Sequence, residues 1–122
     1  MNIEHLNENG IYLAVISSDQ AVITDVQSAL DLIMTVKYET GAERIAIPKE
    51  LICEEFFILS TGIAGEILQK FINYHVKAAI YGDYSRYTSK PLRDFIYESN
   101  QGRDIFFTAT REDAIRKLAQ AQ

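Results

Sequence analysis

The feature that most restricts this chain is a nearly unbroken alternation of short strand-like runs with helix-like runs along its length. Residues Asn2–Leu6 and Ile11–Ile16 flank Asn9-Gly10, a dipeptide that accepts positive φ at both central positions of a tight hairpin. Thr24-Asp25-Val26-Gln27 reads as a capping box, with Thr24 as cap and Gln27 reaching back. Val26, Leu30, Ile33 and Lys37 then recur at helical spacing, joined by Ala29 and Met34, and Gly41 supplies a stop. Arg44–Ile47 is strand-like and ends at Pro48. Lys49–Thr61 lacks a period and is expected to be irregular, with a one-turn helical piece.

Ile63, Ile67 and Phe71, with Leu68 and Ile72, predict a helix over Gly62–His75, and Glu66 and Lys70 stand at ion-pair spacing on it. Lys77–Tyr81 is the next strand, stopped by Gly82-Asp83. Ser89 and Pro91 open a further helix with Leu92, Phe95 and Ile96 as its stripe, and Asn100-Gln101-Gly102 ends it. Ile105–Phe107 is the last strand; Thr110 caps a final helix that buries Ala114, Ile115 and Leu118. The resulting order is ββαβαβαβα. Strands joined through helices pair in parallel, whereas the opening hairpin is antiparallel. The expected fold is therefore a single α/β domain over residues 1–122 with a mixed, mostly parallel sheet.

A chain of 122 residues buries roughly two-thirds of its unfolded surface on folding, which requires neither disulfides nor metal. Cys53 is the sole cysteine, so no internal disulfide forms, as suits a reducing compartment. The opening MNIEHLNENG has no signal-peptide pattern, and no apolar run reaches the ~20 residues of a membrane helix. A cytoplasmic location without membrane contact is expected. Seventeen acidic against 12 basic side chains give a net charge of −5, and no basic run gathers the cations. Nucleic acid is thereby excluded as an expected partner.

Three stretches, residues 23–41, 56–74 and 82–107, together resemble an uncharacterised bacterial family, domain of unknown function 4180. That resemblance covers nearly the whole chain and implies no activity. The element order also resembles that of STAS domains, of the anti-sigma factor antagonist type. In those domains the loop between the third strand and second helix carries Asp-Ser-Ser-Gly-Leu, whose first serine is phosphorylated to release a partner. Leu59-Ser60-Thr61-Gly62-Ile63 stands at the same place, with Leu59 where the family has Asp. The resemblance implies a regulatory or partner-binding role for Ser60, Thr61 and Gly62.

From the residues alone, Ser60 and Thr61 precede a helix and suit either N-capping or an anion at its positive end. Gly62 and Gly65 suit close backbone approach, to a ligand or to packed neighbours. The run Gly82–Lys90 follows the carboxyl end of a strand, where open α/β sheets place ligands. There Asp83, Ser85, Arg86 and Ser89, with the aromatics Tyr84 and Tyr87, suit a small anionic molecule or a peptide, or an ordinary solvated turn and cap. Cys53 lacks a histidine nearby in sequence and is expected to be a packed thiol. His5 and His75 with Glu54 and Glu55 show no metal-ligand spacing, and no phosphate loop, dinucleotide fingerprint or nucleophile elbow is present. A receiver domain would need an acidic residue where Pro48 stands and a lysine near Thr108-Ala109-Thr110.

The expected function is a non-enzymatic regulatory or protein-interaction module, with a protein partner or a second copy of the chain, its recognition surface around Ser60-Thr61 and the second helix with Asp83–Ser89 nearby. No cofactor and no metal is expected. The alternative is a binder of small anions, or an enzyme, using the loop 82–90.

Overall fold

The computed structural model describes the whole chain, Met1–Gln122. Strands β1 (Asn2–Glu8) and β2 (Ile11–Ser17) form the opening hairpin. Asn9 and Gly10 both take positive φ, 56° and 88°, as a two-residue turn between twisted strands requires. The Asn7 carboxamide accepts the Gly10 N–H at 2.8 Å and closes the turn. Helix α1 (Val26–Thr40), β3 (Arg44–Pro48), α2 (Ile63–Asn73), β4 (Lys77–Tyr81), α3 (Lys90–Gln101), β5 (Ile105–Thr108) and α4 (Arg111–Gln120) follow. The aperiodic stretch after β3 becomes three short 3₁₀ turns, Lys49–Leu51, Glu54–Phe57 and Leu59–Thr61.

The sheet has five strands in the order β1-β2-β3-β4-β5. β2 through β5 are parallel and β1 is antiparallel to β2. Each helical crossover therefore advances by one strand in the same direction. Crossovers of one hand that all step the same way lay their helices on one face. The core follows that geometry: Ala14, Ile16, Ile45, Ile47, Ala78, Ile80 and Phe107 pack beneath buried residues of α1, α2 and α3. The alternate residues Leu13, Val15, Ala46, Ala79 and Phe106 point to the other face, where Ala114 and Leu118 of α4 cover them. Ile115, expected in the core, is only half-buried. Because the strand order never reverses, the sheet has no switch point, the feature that opens a ligand crevice in doubly wound folds.

Local chemistry departs from the sequence expectation in several places. The cap of α1 is Asp25, not Thr24: the Asp25 carboxylate accepts the Ser28 N–H at 2.8 Å, and the Ser28 hydroxyl accepts the Asp25 N–H at 3.0 Å. The Ser28 N–H first, and then its hydroxyl, hold the Asp25 carboxyl below its ordinary pKa. Helix α2 stops at Asn73, and His75 turns the chain with φ 59° while the Val76 N–H returns to the Phe71 carbonyl at 2.8 Å. Glu66 and Lys70 form no ion pair; Lys90–Asp94 is the i,i+4 pair that does form. Asn100 does more than end α3. Its carboxamide donates to the Phe107 carbonyl at 3.1 Å and accepts the Phe107 N–H at 2.7 Å, so it occupies the outer edge of β5.

Candidate functional site

The site begins with two aromatic residues that need burial. Phe56 and Phe57 fall inside the second 3₁₀ turn, and both are buried. Phe57 stacks on Tyr87 with ring centroids 5.4 Å apart. Tyr84 sits edge-on to Phe107 at 5.8 Å and donates its hydroxyl to the Ile80 carbonyl at 2.8 Å. Burial pushes the Tyr84 phenol well above its ordinary range, so it stays neutral and structural. The loop after β4 is thus pinned by its tyrosines onto the segment after β3.

Polar contacts complete the seam. The Arg86 guanidinium donates to both carboxylate oxygens of Glu54 at 2.8 Å, and the Tyr87 hydroxyl donates to the same carboxylate at 3.0 Å. The Lys49 ammonium lies 4.8 Å above the Tyr87 ring and 5.3 Å from that of Phe57, within cation–π range. Gly82 is required beside it: a Cβ there would meet the Lys49 Cβ at 2.7 Å.

Between these two segments lies an open groove of about 430 Å³. Its apolar lining comes from Phe57, Ile58, Leu59, Tyr87, Pro91 and Leu92, and its polar lining from Glu54, Ser60, Arg86, Thr88 and Ser89. Two segments singled out separately in the sequence therefore converge. Ser60, Arg86 and Ser89 share the groove; Thr61, Gly62, Asp83 and Ser85 are not part of its lining.

The individual residues divide by how their polar atoms are used. Ser60 is exposed, and its hydroxyl takes no part in the hydrogen bonding around it. Thr61 donates to the carbonyls of Glu55 and Ile58, at 3.0 and 2.8 Å, and accepts the Ile63 N–H at 3.2 Å. Neither serine nor threonine is the cap of α2. That position belongs to Gly62, whose φ of 78° makes the left-handed step into the helix. Nothing lies within 4 Å of a Cβ built at Gly62 or Gly65, so close approach explains neither glycine.

Asp83 accepts the Ser85 N–H at 2.8 Å in a local turn, and the Ser85 hydroxyl and N–H hold its carboxyl below the ordinary value. Ser89 caps α3 through the Leu92 N–H at 3.4 Å.

Cys53 is half-buried against the main core, and burial pushes its thiol up, away from the thiolate a nucleophile needs. His5 lies on β1 and His75 follows α2. No three His, Cys, Asp or Glu side chains gather in a metal-binding group, and no helix is long and apolar enough to cross a membrane.

Sequence reasoning flagged the run that carries Tyr87 but missed its partners Glu54 and Lys49 as parts of this region. Glu54 and Lys49 are unremarkable in their own segment, and only the sheet order brings them to Tyr87.

A family model described as Domain of unknown function (DUF4180) matches residues 8–118. The chain belongs to this family. The matched span runs from the end of β1 to within α4 and contains every groove residue. No curated protein and no solved structure gives a significant match.

Proposed function

We propose that this DUF4180 chain is a non-enzymatic regulatory module of STAS-like architecture, acting in the cytoplasm through a protein partner. Its recognition surface is the groove between Leu59-Ser60 and Arg86–Leu92. One observation carries the reading: a free hydroxyl, Ser60, shares an open, half-apolar groove with a cation, Arg86, that already faces a carboxylate. The hairpin-first element order and the Ser60-Thr61-Gly62 run ahead of α2 support the STAS-like assignment. An apolar lining edged by hydroxyls fits a peptide segment, whose side chains fill it while its backbone reaches Ser60, Thr88 and Ser89. Phosphate on Ser60 would place about two negative charges at this edge and compete with Glu54 for Arg86.

The test is affinity capture from the host with the wild-type chain, Ser60→Asp and Thr61→Val, together with intact mass of the purified protein. A partner held in stoichiometric amount by the wild type and lost from Ser60→Asp supports the reading. The same proteins on every variant, with no phosphate in the intact mass, count against it. A small-anion role for Asp83, Ser85, Arg86 and Ser89 makes a different prediction. It requires a thermal shift with one anionic metabolite that Asp83→Ala abolishes.

A further inference from the structure

The two edges of the sheet are treated differently. At β5 the Asn100 carboxamide occupies the outward N–H and C=O of Phe107. At β1 nothing in the chain occupies the outward backbone groups. β1 is the longer edge, seven residues against four, and its pairing with β2 runs without a bulge from Asn2 to Glu8. In a two-residue hairpin the residues flanking the turn exchange hydrogen bonds, so Glu8 and every second residue before it bond to β2. Ile3, His5 and Asn7 therefore direct their N–H and C=O groups outward, a ready template for one more strand.

We infer that the outer edge of β1 pairs antiparallel with β1 of a second copy, joining two sheets into one of ten strands about a two-fold axis at His5. Symmetry and charge register both fit a second copy of β1 at this edge. A two-fold axis perpendicular to the sheet must pass between a residue and its own copy. Placing it at His5 makes Ile3, His5 and Asn7, the residues with outward groups, hydrogen-bond to Asn7, His5 and Ile3 of the second copy. The same register sets Glu4 opposite Leu6 and Asn2 opposite Glu8, so no two carboxylates face each other across the join. Glu4 is in addition neutralised by Arg111 at 2.7 Å. On the helix-rich face, His5 packs against the exposed Tyr12 ring at 5.4 Å, and this pair from each copy would flank the axis. The surface lies on the opposite edge of the sheet from the groove and does not depend on the function proposed for it.

Sedimentation velocity on the full chain over a concentration series up to millimolar tests the association. The expected result is a concentration-dependent species of twice 13.9 kDa. It is lost in His5→Lys, which sets like charges opposite one another, and in His5→Pro, which removes an outward N–H without removing a bond to β2. Circular dichroism checks that both variants fold; His5 is exposed, so His5→Lys gives up only its contact with the exposed Tyr12 ring. Register is read separately in a Cys53→Ser background. His5→Cys should oxidise to a covalent dimer, since the facing Cα atoms of a hydrogen-bonded pair stand about 5.5 Å apart. Asn7→Cys should not, because its own copy lies roughly 13 Å away along the strand. A wild-type chain that stays at 13.9 kDa throughout, or a dimer that His5→Lys leaves intact, overturns the inference. So does cross-linking through Asn7→Cys in place of His5→Cys.

Discussion

Arg86 reaches across 32 residues of sequence to place one nitrogen 2.8 Å from each carboxylate oxygen of Glu54, and this pair closes the seam beside the groove. Both side chains are more than half exposed, so water and salt screen the attraction and its share of global stability is small. Its effect is local. Arg86→Ala should leave the melting temperature nearly unchanged while amide exchange speeds up in residues 83–89 and 54–60. The double exchange Arg86→Glu with Glu54→Arg should restore slow exchange. Hydrogen-exchange mass spectrometry reads both outcomes.

Asn100 bears more on stability than its place at a helix end suggests. Asn100→Ala leaves the buried Phe107 with an N–H and a C=O that have lost their partners. The expected loss is about 1–3 kcal/mol in urea unfolding. Asn100→Asp should fall between, because the carboxylate still accepts the N–H but no longer donates to the carbonyl. Asn100→Ala also bares the β5 edge and should aggregate more readily than the wild type.

These two relationships mark the limit of what the sequence discloses. The hairpin at Asn9-Gly10, the caps at Ser89 and Thr110 and the helical stripes of α1 and α2 rest on neighbours a few residues apart. Such signals are written locally and were legible. The Thr24 cap was misplaced by one residue because Asp25 and Ser28 offer the same chemistry at the same spacing. The cap expected at Ser60 or Thr61 falls at Gly62 for a related reason: the Thr61 hydroxyl donates back to the preceding 3₁₀ turn, while accepting the Ile63 N–H. The groove was legible in its two segments but not in the contacts that join them. Ser60 and Arg86 meet there only because β3 and β4 are adjacent, and strand order is set by global packing rather than by any local pattern.

The glycines offer a paired test of packing. Gly82→Ala forces a Cβ against that of Lys49, which the backbone holds in place, and should cost about 1–3 kcal/mol. Gly65→Ala, in the first turn of α2 with nothing within 4 Å, should stabilise by about 0.5 kcal/mol. Denaturant midpoints of the two variants should move in opposite directions from the wild type.

Asp25 gives the chain an acid-sensitive helix start. Its folded pKa lies below the unfolded value because Ser28 bonds the charged form. Its contribution is therefore complete above the unfolded carboxylate pKa of about 4 and fades as pH falls through the lower folded value. Asp25→Asn should be less stable than the wild type at neutral pH, with the difference shrinking toward pH 2. Thermal melts across that range measure it.

The central claim, a groove that receives a protein partner, is tested most directly by photo-crosslinking in the host. A photoreactive amino acid is placed at Ser60 or Thr88, which line the groove, and for comparison at Gln69 or Glu98 on exposed helix faces. The account predicts one discrete adduct with another protein from the two groove positions and none from the two helix positions. No adduct from the groove, or the same adducts from all four positions, would contradict it.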